Sequence, residues 1–122
     1  MIGNRRARLI TLQIDGQVYE AKGDFSYNLG HNARTAIIGA DGVHGYSEAP
    51  QAAYIEGAVT DSSDLDLAKL VDSDGVTVTL RLNNGKTIVL PNAWFAGDGT
   101  ASTNEAEISI RFESRSHAQE VA

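Results

Sequence analysis

Residues 51–59, Gln-Ala-Ala-Tyr-Ile-Glu-Gly-Ala-Val, and residues 76–94, Val-Thr-Val-Thr-Leu-Arg-Leu-Asn-Asn-Gly-Lys-Thr-Ile-Val-Leu-Pro-Asn-Ala-Trp, decide the fold. In the first, Ala53, Ile55, Gly57 and Val59 fall on one face and Ala52, Tyr54, Glu56 and Ala58 on the other, the period of a half-buried strand. In the second, Val76, Val78, Leu80 and Leu82 alternate with Thr77, Thr79 and Arg81. Asn84-Gly85 then supplies a hairpin turn before Lys86 to Leu90 runs back towards Pro91-Asn92-Ala93-Trp94.

Between these stretches lies a short helix, Ser63 to Val71. Asp61, Ser62 and Ser63 are its N-cap candidates, and Asp64 and Asp66 suit the positive end of its dipole. Leu67, Leu70 and Val71 share one side, so the helix packs on a sheet, and Asp74-Gly75 stops it. The last alternating run sets Ala106, Ile108, Ile110 and Phe112 inward against Glu107, Ser109, Arg111 and Glu113 outward.

Towards the N-terminus, Ile10, Leu12 and Ile14 alternate, Asp15-Gly16 turns the chain, and Gln17 to Ala21 alternates again. Lys22-Gly23-Asp24 reads as a second turn leading into a third strand, Phe25 to Leu29. Residues 30–49 carry Gly30, Gly39, Gly42 and Gly45 and one apolar patch, Ala36-Ile37-Ile38. They read as an extended hairpin turning near Asp41-Gly42, too poor in core residues to be held by its own subunit. Residues 116–122 read as a polar tail and residues 1–7 as a flexible basic arm.

The expected architecture is therefore one domain over residues 1–122, mainly β, a β-sandwich or small barrel with one short α-helix and a long extended hairpin loop. At 122 residues such a domain buries roughly two-thirds of its unfolded surface. No apolar run approaches the roughly 18 residues of a membrane helix, and no h-region follows Arg5, Arg6 and Arg8, so neither a membrane span nor a secretory signal is expected. With no cysteine, disulfides and thiolate metal sites are ruled out.

The net charge of −6 argues against non-specific nucleic-acid binding, which needs Lys and Arg to neutralise phosphates. Its distribution is uneven: residues 1–34 hold five basic and three acidic side chains, residues 35–122 five and thirteen. A basic N-terminal segment of this kind suits docking on an acidic neighbour.

The residues offer little chemistry. His31, His44 and His117 are dispersed over loop and tail, none with a second ligand at i+2 or i+4, so no metal site is expected unless the fold converges them. Asp72-Ser73-Asp74-Gly75 lacks the third ligand, the sixth-position Gly and the closing Glu of a calcium loop. Gly39 to Gly45 has no Lys-Ser/Thr to finish a phosphate loop, and no serine stands in a Gly-x-Ser-x-Gly elbow. Glu105 and Glu107, about 7 Å apart along one strand face, read as solvated acids. Trp94 reads as an anchor at a strand end. No catalytic residue and no cofactor are expected.

The order strand, acidic helix, hairpin ending in Asn92-Ala93-Trp94, and a closing strand containing Glu107-Ile108-Ser109 resembles the tail tube proteins of Mu-like contractile-tailed bacteriophages. The likeness is best over residues 50–115, extends over Ala7 to Asn28, and is weakest over Gly30 to Ala49, where a Gly45-Tyr46 pair stands close to where members often carry an aromatic after glycine. It implies a ring-forming tail-tube fold and a non-enzymatic subunit, six copies making a ring and rings stacking into a conduit for DNA ejection. The implied partners are further copies of the chain, a sheath protein, a tape measure protein and a baseplate tube-initiator, with DNA passing through without specific binding. The implied location is the virion tail, after synthesis in the host cytoplasm. Under this reading the expected lumen-facing residues are Glu56, Glu107, Ser109, Arg111 and Glu113. The expected inter-subunit residues are Arg5, Arg6, Arg8, Ile37, Ile38, Gly42 and Tyr46. A tube subunit of a phage-derived bacteriocin or contractile secretion machine is an alternative. So is a monomeric β-sandwich ligand-binding module, which needs exposed aromatics on one strand face, where Tyr54 stands.

Overall fold

The computed structural model of the chain describes residues 10–61, 65–97, 101–102 and 107–121. The strands are β1 (Thr11–Ile14), β2 (Gln17–Asn28), β3 (Ala33–Gly39), β4 (Gly42–Ala49), β5 (Ala53–Thr60), β6 (Val76–Arg81), β7 (Thr87–Phe95), β8 (Ala101–Ser102), β9 (Glu107–Ser114) and β10 (Gln119–Val121); one helix, α1 (Leu67–Val71), separates β5 from β6. Strands β7-β6-β1-β2-β5-β9 pair in that order, and β9 pairs back onto β7, so six strands close a barrel. β10 and β8 extend it at β7 and β9, while among the described residues β3 and β4 pair only with each other. Closure leaves the barrel strands few edges to protect.

The alternating residues Leu12, Ile55, Val59, Val78, Leu80, Ile108 and Phe112 line the interior, where Ile88 and Leu90 of β7 join them fully buried in one cluster, each worth roughly 1.5–3 kcal/mol against exposure. Phe95 meets Phe112 edge to face, with centroids 5.5 Å apart. Leu70 of α1 is buried in the same cluster.

Two glycine signals have different outcomes. Asp15-Gly16 is the tight β1–β2 turn, both residues at positive φ (50° and 87°), as a type I′ hairpin demands. The Asp15 carboxylate also accepts the Thr77 N–H at 2.8 Å, and the Asp15 N–H donates to the Thr77 carbonyl at 2.9 Å, tying the turn to β6. Lys22-Gly23-Asp24, by contrast, does not reverse the chain. β2 continues through it, pairing Lys22 with Ala58 and Ser26 with Glu56, so that Gly23, Asp24 and Phe25 bulge opposite Gly57. A bulge and a turn both use a glycine at positive φ, here 76°, and so share a sequence signature.

The helix is shorter than expected. Asp66 caps it, its carboxylate accepting the Lys69 N–H at 3.2 Å, instead of lying within its first turn. Asp61 is not helical, and Ser62, Ser63 and Asp64 lie outside the described residues, as do Glu105 and Ala106.

Strand β7 turns a corner at Pro91-Asn92. Its first half pairs with β6 and β10, its last residues with β9, Trp94 opposite Glu113 and Phe95 opposite Phe112. Asn92 adopts φ 53° there. Ser114, fully buried, donates its hydroxyl to the Pro91 carbonyl at 2.6 Å and accepts the Ser116 N–H at 3.0 Å. The corner lets one strand belong to both halves of the barrel.

Beyond β9 the segment expected as a polar tail is partly built into the sheet. Ala118 is buried, its N–H donates to the Leu29 carbonyl at 3.0 Å, and Gln119–Val121 pair with Val89–Thr87. An edge strand held by backbone hydrogen bonds needs no apolar alternation, so none marked it.

Candidate functional site

Strands β5 and β9 pair over eight consecutive residues, which puts Tyr54, Glu56, Ala58 and Thr60 beside Glu113, Arg111, Ser109 and Glu107 on the outer face. Glu56, Glu107, Ser109, Arg111 and Glu113, distant in sequence, thus share one surface. Its centre is Arg111. The guanidinium Nε donates to Glu113 at 2.7 Å, Nη1 lies 3.1 Å from the Glu56 carboxylate, and Cζ stands 4.0 Å above the Tyr54 ring. The hydrogen bond that Arg111 donates to Glu113 holds the guanidinium pKa above its ordinary value, against the opposing effect of burial and with a smaller contribution from Glu56.

β2 adds two residues that the sequence did not single out. Lys22 approaches Glu107 at 3.7 Å, and Glu20 accepts the Thr60 hydroxyl at 3.0 Å. Each pair is half exposed and individually worth little. Together they order the face and leave it acidic: Glu20, Glu56, Glu107 and Glu113 against Lys22 and Arg111, a net of −2. Cross-strand register brought these residues together, and a single strand's alternation carries no register.

The second surface is the arm, β3 and β4, exposed along its whole length. Ile38 is 73% and Val43 70% exposed, and they pair across the strands; Ile37 and Tyr46 are about half exposed. Gly42 opens β4 after the Ala40-Asp41 turn, at φ 129°. A bulge at His44 shifts the register between Ile37 opposite Gly45 and Ile38 opposite Val43. At the base of the arm Arg34 lies 3.1 Å from Glu48 and stacks 4.6 Å above Tyr46, which stiffens the hairpin. Arg5, Arg6 and Arg8, expected to join this surface, lie outside the described residues.

Where the arm leaves the barrel, His31, Asn32, Arg34, Glu48 and His117 line a cleft of about 710 Å³. The His31 and His117 rings face each other there with centroids 4.7 Å apart. Among the described residues no three of His, Asp and Glu converge as metal ligands, and no helix is long and apolar enough to cross a membrane.

The family model described as phage tail tube protein matches residues 3–119. The chain is 26% identical over 110 residues to the tail tube protein of Escherichia phage Mu, covering 90% of this chain and 91% of that protein. It is 27% identical over 93 residues to the Mu-like prophage FluMu tail tube protein of Haemophilus influenzae, covering 76% and 78%. Among solved structures, the sheath/tube terminator of an extracellular contractile injection system, PVC, superposes with a TM-score of 0.63 at 14% identity, covering 93% of this chain and 94% of that one. With a match that spans almost its whole length, a closed barrel and a projecting arm, the chain belongs to the phage tail tube protein family.

Proposed function

We propose that six copies of this tail tube subunit close head to tail into a ring, and that rings stack into the conduit through which DNA leaves the capsid. The observation that carries this reading is the arm: Ile37, Ile38, Val43 and Tyr46 project on a two-stranded sheet that no other described element of its own subunit pairs with. An isolated hairpin of this kind is marginal in water, and its apolar side chains and free strand edges suit a neighbouring copy. A head-to-tail contact closes by rotation within a ring, and an open contact between rings extends a filament.

The subunit's own barrel cannot be the conduit. Six strands spaced ~4.8 Å and tilted ~40° enclose a backbone diameter of about 12 Å, which side chains fill. If each of six subunits contributes four strands to a shared barrel, the same arithmetic gives about 48 Å, wide enough for a DNA duplex. The acidic β5–β9 face is the surface we assign to that lumen, where Glu56, Glu107 and Glu113 repel phosphate while Glu56 and Glu113 hold Arg111. The sheath, a tape measure protein and a baseplate initiator are the partners such a tube needs. The relatives in sequence are a phage and a prophage protein, which favours DNA as cargo over a machine that carries none.

Electron microscopy of the concentrated protein, paired with sedimentation over a concentration series, tests the reading. Six-fold rings or tubes that grow with concentration are expected. A monomer at every concentration overturns it.

A further inference from the structure

We propose that His31 and His117 together bind a divalent transition-metal ion, Cu²⁺, Ni²⁺ or Zn²⁺, which pins the root of the arm to the segment before β10. Their backbones are both held by hydrogen bonds, one of which ties the two segments together. His31 lies in the link between β2 and β3, where the Gln51 side chain donates to its carbonyl at 2.8 Å. His117 lies in the link between β9 and β10, held by the Ala118 N–H on the Leu29 carbonyl at 3.0 Å. Gly30, at φ 88°, sits so close to Ala53 that an added Cβ would stand 2.8 Å from the Ala53 Cβ. The two rings therefore meet at a junction that the barrel positions from both sides.

The ring separation leaves room for one ion. Metal–imidazole bonds of about 2.0–2.1 Å at a near-tetrahedral angle put two ring centroids about 5 Å apart. The observed separation is 4.7 Å, with the rings tilted by 57° and not stacked flat. Among the described residues, no hydrogen-bond partner engages the nitrogens of either ring. Glu48, in the same cleft, is held by Arg34 at 3.1 Å, so the chain supplies two ligands and the cleft admits water for the rest. Two neutral imidazoles with water select borderline metals over Mg²⁺ and Ca²⁺, which prefer oxygen.

The inference does not depend on ring assembly and is tested on the untagged full chain as a monomer. Isothermal titration with Zn²⁺ and with Cu²⁺ should show one ion per chain. His31→Ala and His117→Ala should each weaken binding by at least the roughly 10–100-fold that loss of a mere outer-shell partner costs. His44→Ala, which removes the imidazole paired with Asp41 on the arm tip, should leave it unchanged. Both ring histidines are exposed, so the variants keep the core intact; in the unmodified chain, Cu²⁺ should also broaden the imidazole NMR signals of His31 and His117 before that of His44. Absence of stoichiometric binding, binding that survives either alanine substitution, or broadening confined to His44 overturns the proposal.

Discussion

The ring of Phe25 occupies the space that a side chain at position 57 would need. A Cβ built on Gly57 stands 2.6 Å from the ring carbons, closer than such atoms approach in real structures. Gly57 has an ordinary strand backbone, so the conflict is steric alone. Gly57→Ala should therefore destabilise the barrel by about 1–3 kcal/mol, read as a lower urea midpoint at unchanged slope. Adding Phe25→Leu, which shortens the obstructing group, should recover part of the loss. A Gly57→Ala protein as stable as the parent would mean that the bulge does not place Phe25 there.

This pair also marks where the sequence was legible. The alternation of β5, β6 and β9 identified the interior residues Ile55, Val59, Val78, Leu80, Ile108 and Phe112, because a half-buried strand writes its period directly into the chain. The hairpin turns at Asp15-Gly16 and Asn84-Gly85 were equally direct. Gly23 was ambiguous, since the same backbone freedom serves a turn or a bulge. Barrel closure through Trp94 opposite Glu113, and the convergence of Lys22 with Glu107, depend on which strands pair and in what register. No local pattern encodes that. The five lumen candidates lie on one face because strand parity was legible, whereas the Arg111–Tyr54 stack and the meeting of His31 with His117 were not.

Ser114 should be a stability determinant out of proportion to its size. Its buried hydroxyl satisfies the Pro91 carbonyl and the Ser116 N–H at the corner where β7 crosses to β9. Ser114→Ala leaves both groups unpaired, at a cost of roughly 1–3 kcal/mol. Trp94, the chain's one tryptophan, sits two residues beyond the corner and reports on it. Its emission should shift at lower denaturant in the variant; coincident parent and variant curves would remove Ser114 from this role.

Tyr19 gives a pH prediction. Burial, reinforced by the nearby Asp66 carboxylate, raises its phenol pKa above the ordinary value. The folded protein therefore holds the proton more tightly than the unfolded chain. The contribution is fully present below about pH 10, the unfolded value, and is lost as pH rises through the higher folded pKa. Stability should fall with alkaline pH over that window, and Tyr19→Phe should flatten the fall. If the slope above pH 10 is the same in both proteins, other groups govern it.

The arm's apolar tip should matter to assembly and not to folding. Ile38→Asp with Val43→Ser alters side chains about 70% exposed, so the monomer's unfolding free energy should stay within about 0.5 kcal/mol. Under the proposed function the same double variant should fail to form rings at concentrations where the parent assembles. Normal rings from this variant would show that the subunits meet through another surface.

The assignment of the β5–β9 face to the lumen is tested by reversing its charge. Glu107→Lys with Glu113→Lys changes the face from −2 to +2 per subunit, since each reversal adds two, and so a ring of six from about −12 to about +12. The lost pairs, Lys22–Glu107 and Arg111–Glu113, are partly exposed and of the kind worth at most about 1 kcal/mol each, so rings should still form. With a Debye length near 8 Å at physiological salt, the wall acts on a duplex only at close range, and a duplex nearly fills such a channel. DNA ejection should slow, more so at low ionic strength, where the attraction reaches further. Glu56→Gln, which removes one carboxylate from Arg111 and leaves Glu113 in place, should produce a smaller effect of the same sign and salt dependence. If the reversed tubes eject DNA at the parent rate at low salt while assembling normally, the face lies outside the channel, and the tube reading survives without this assignment.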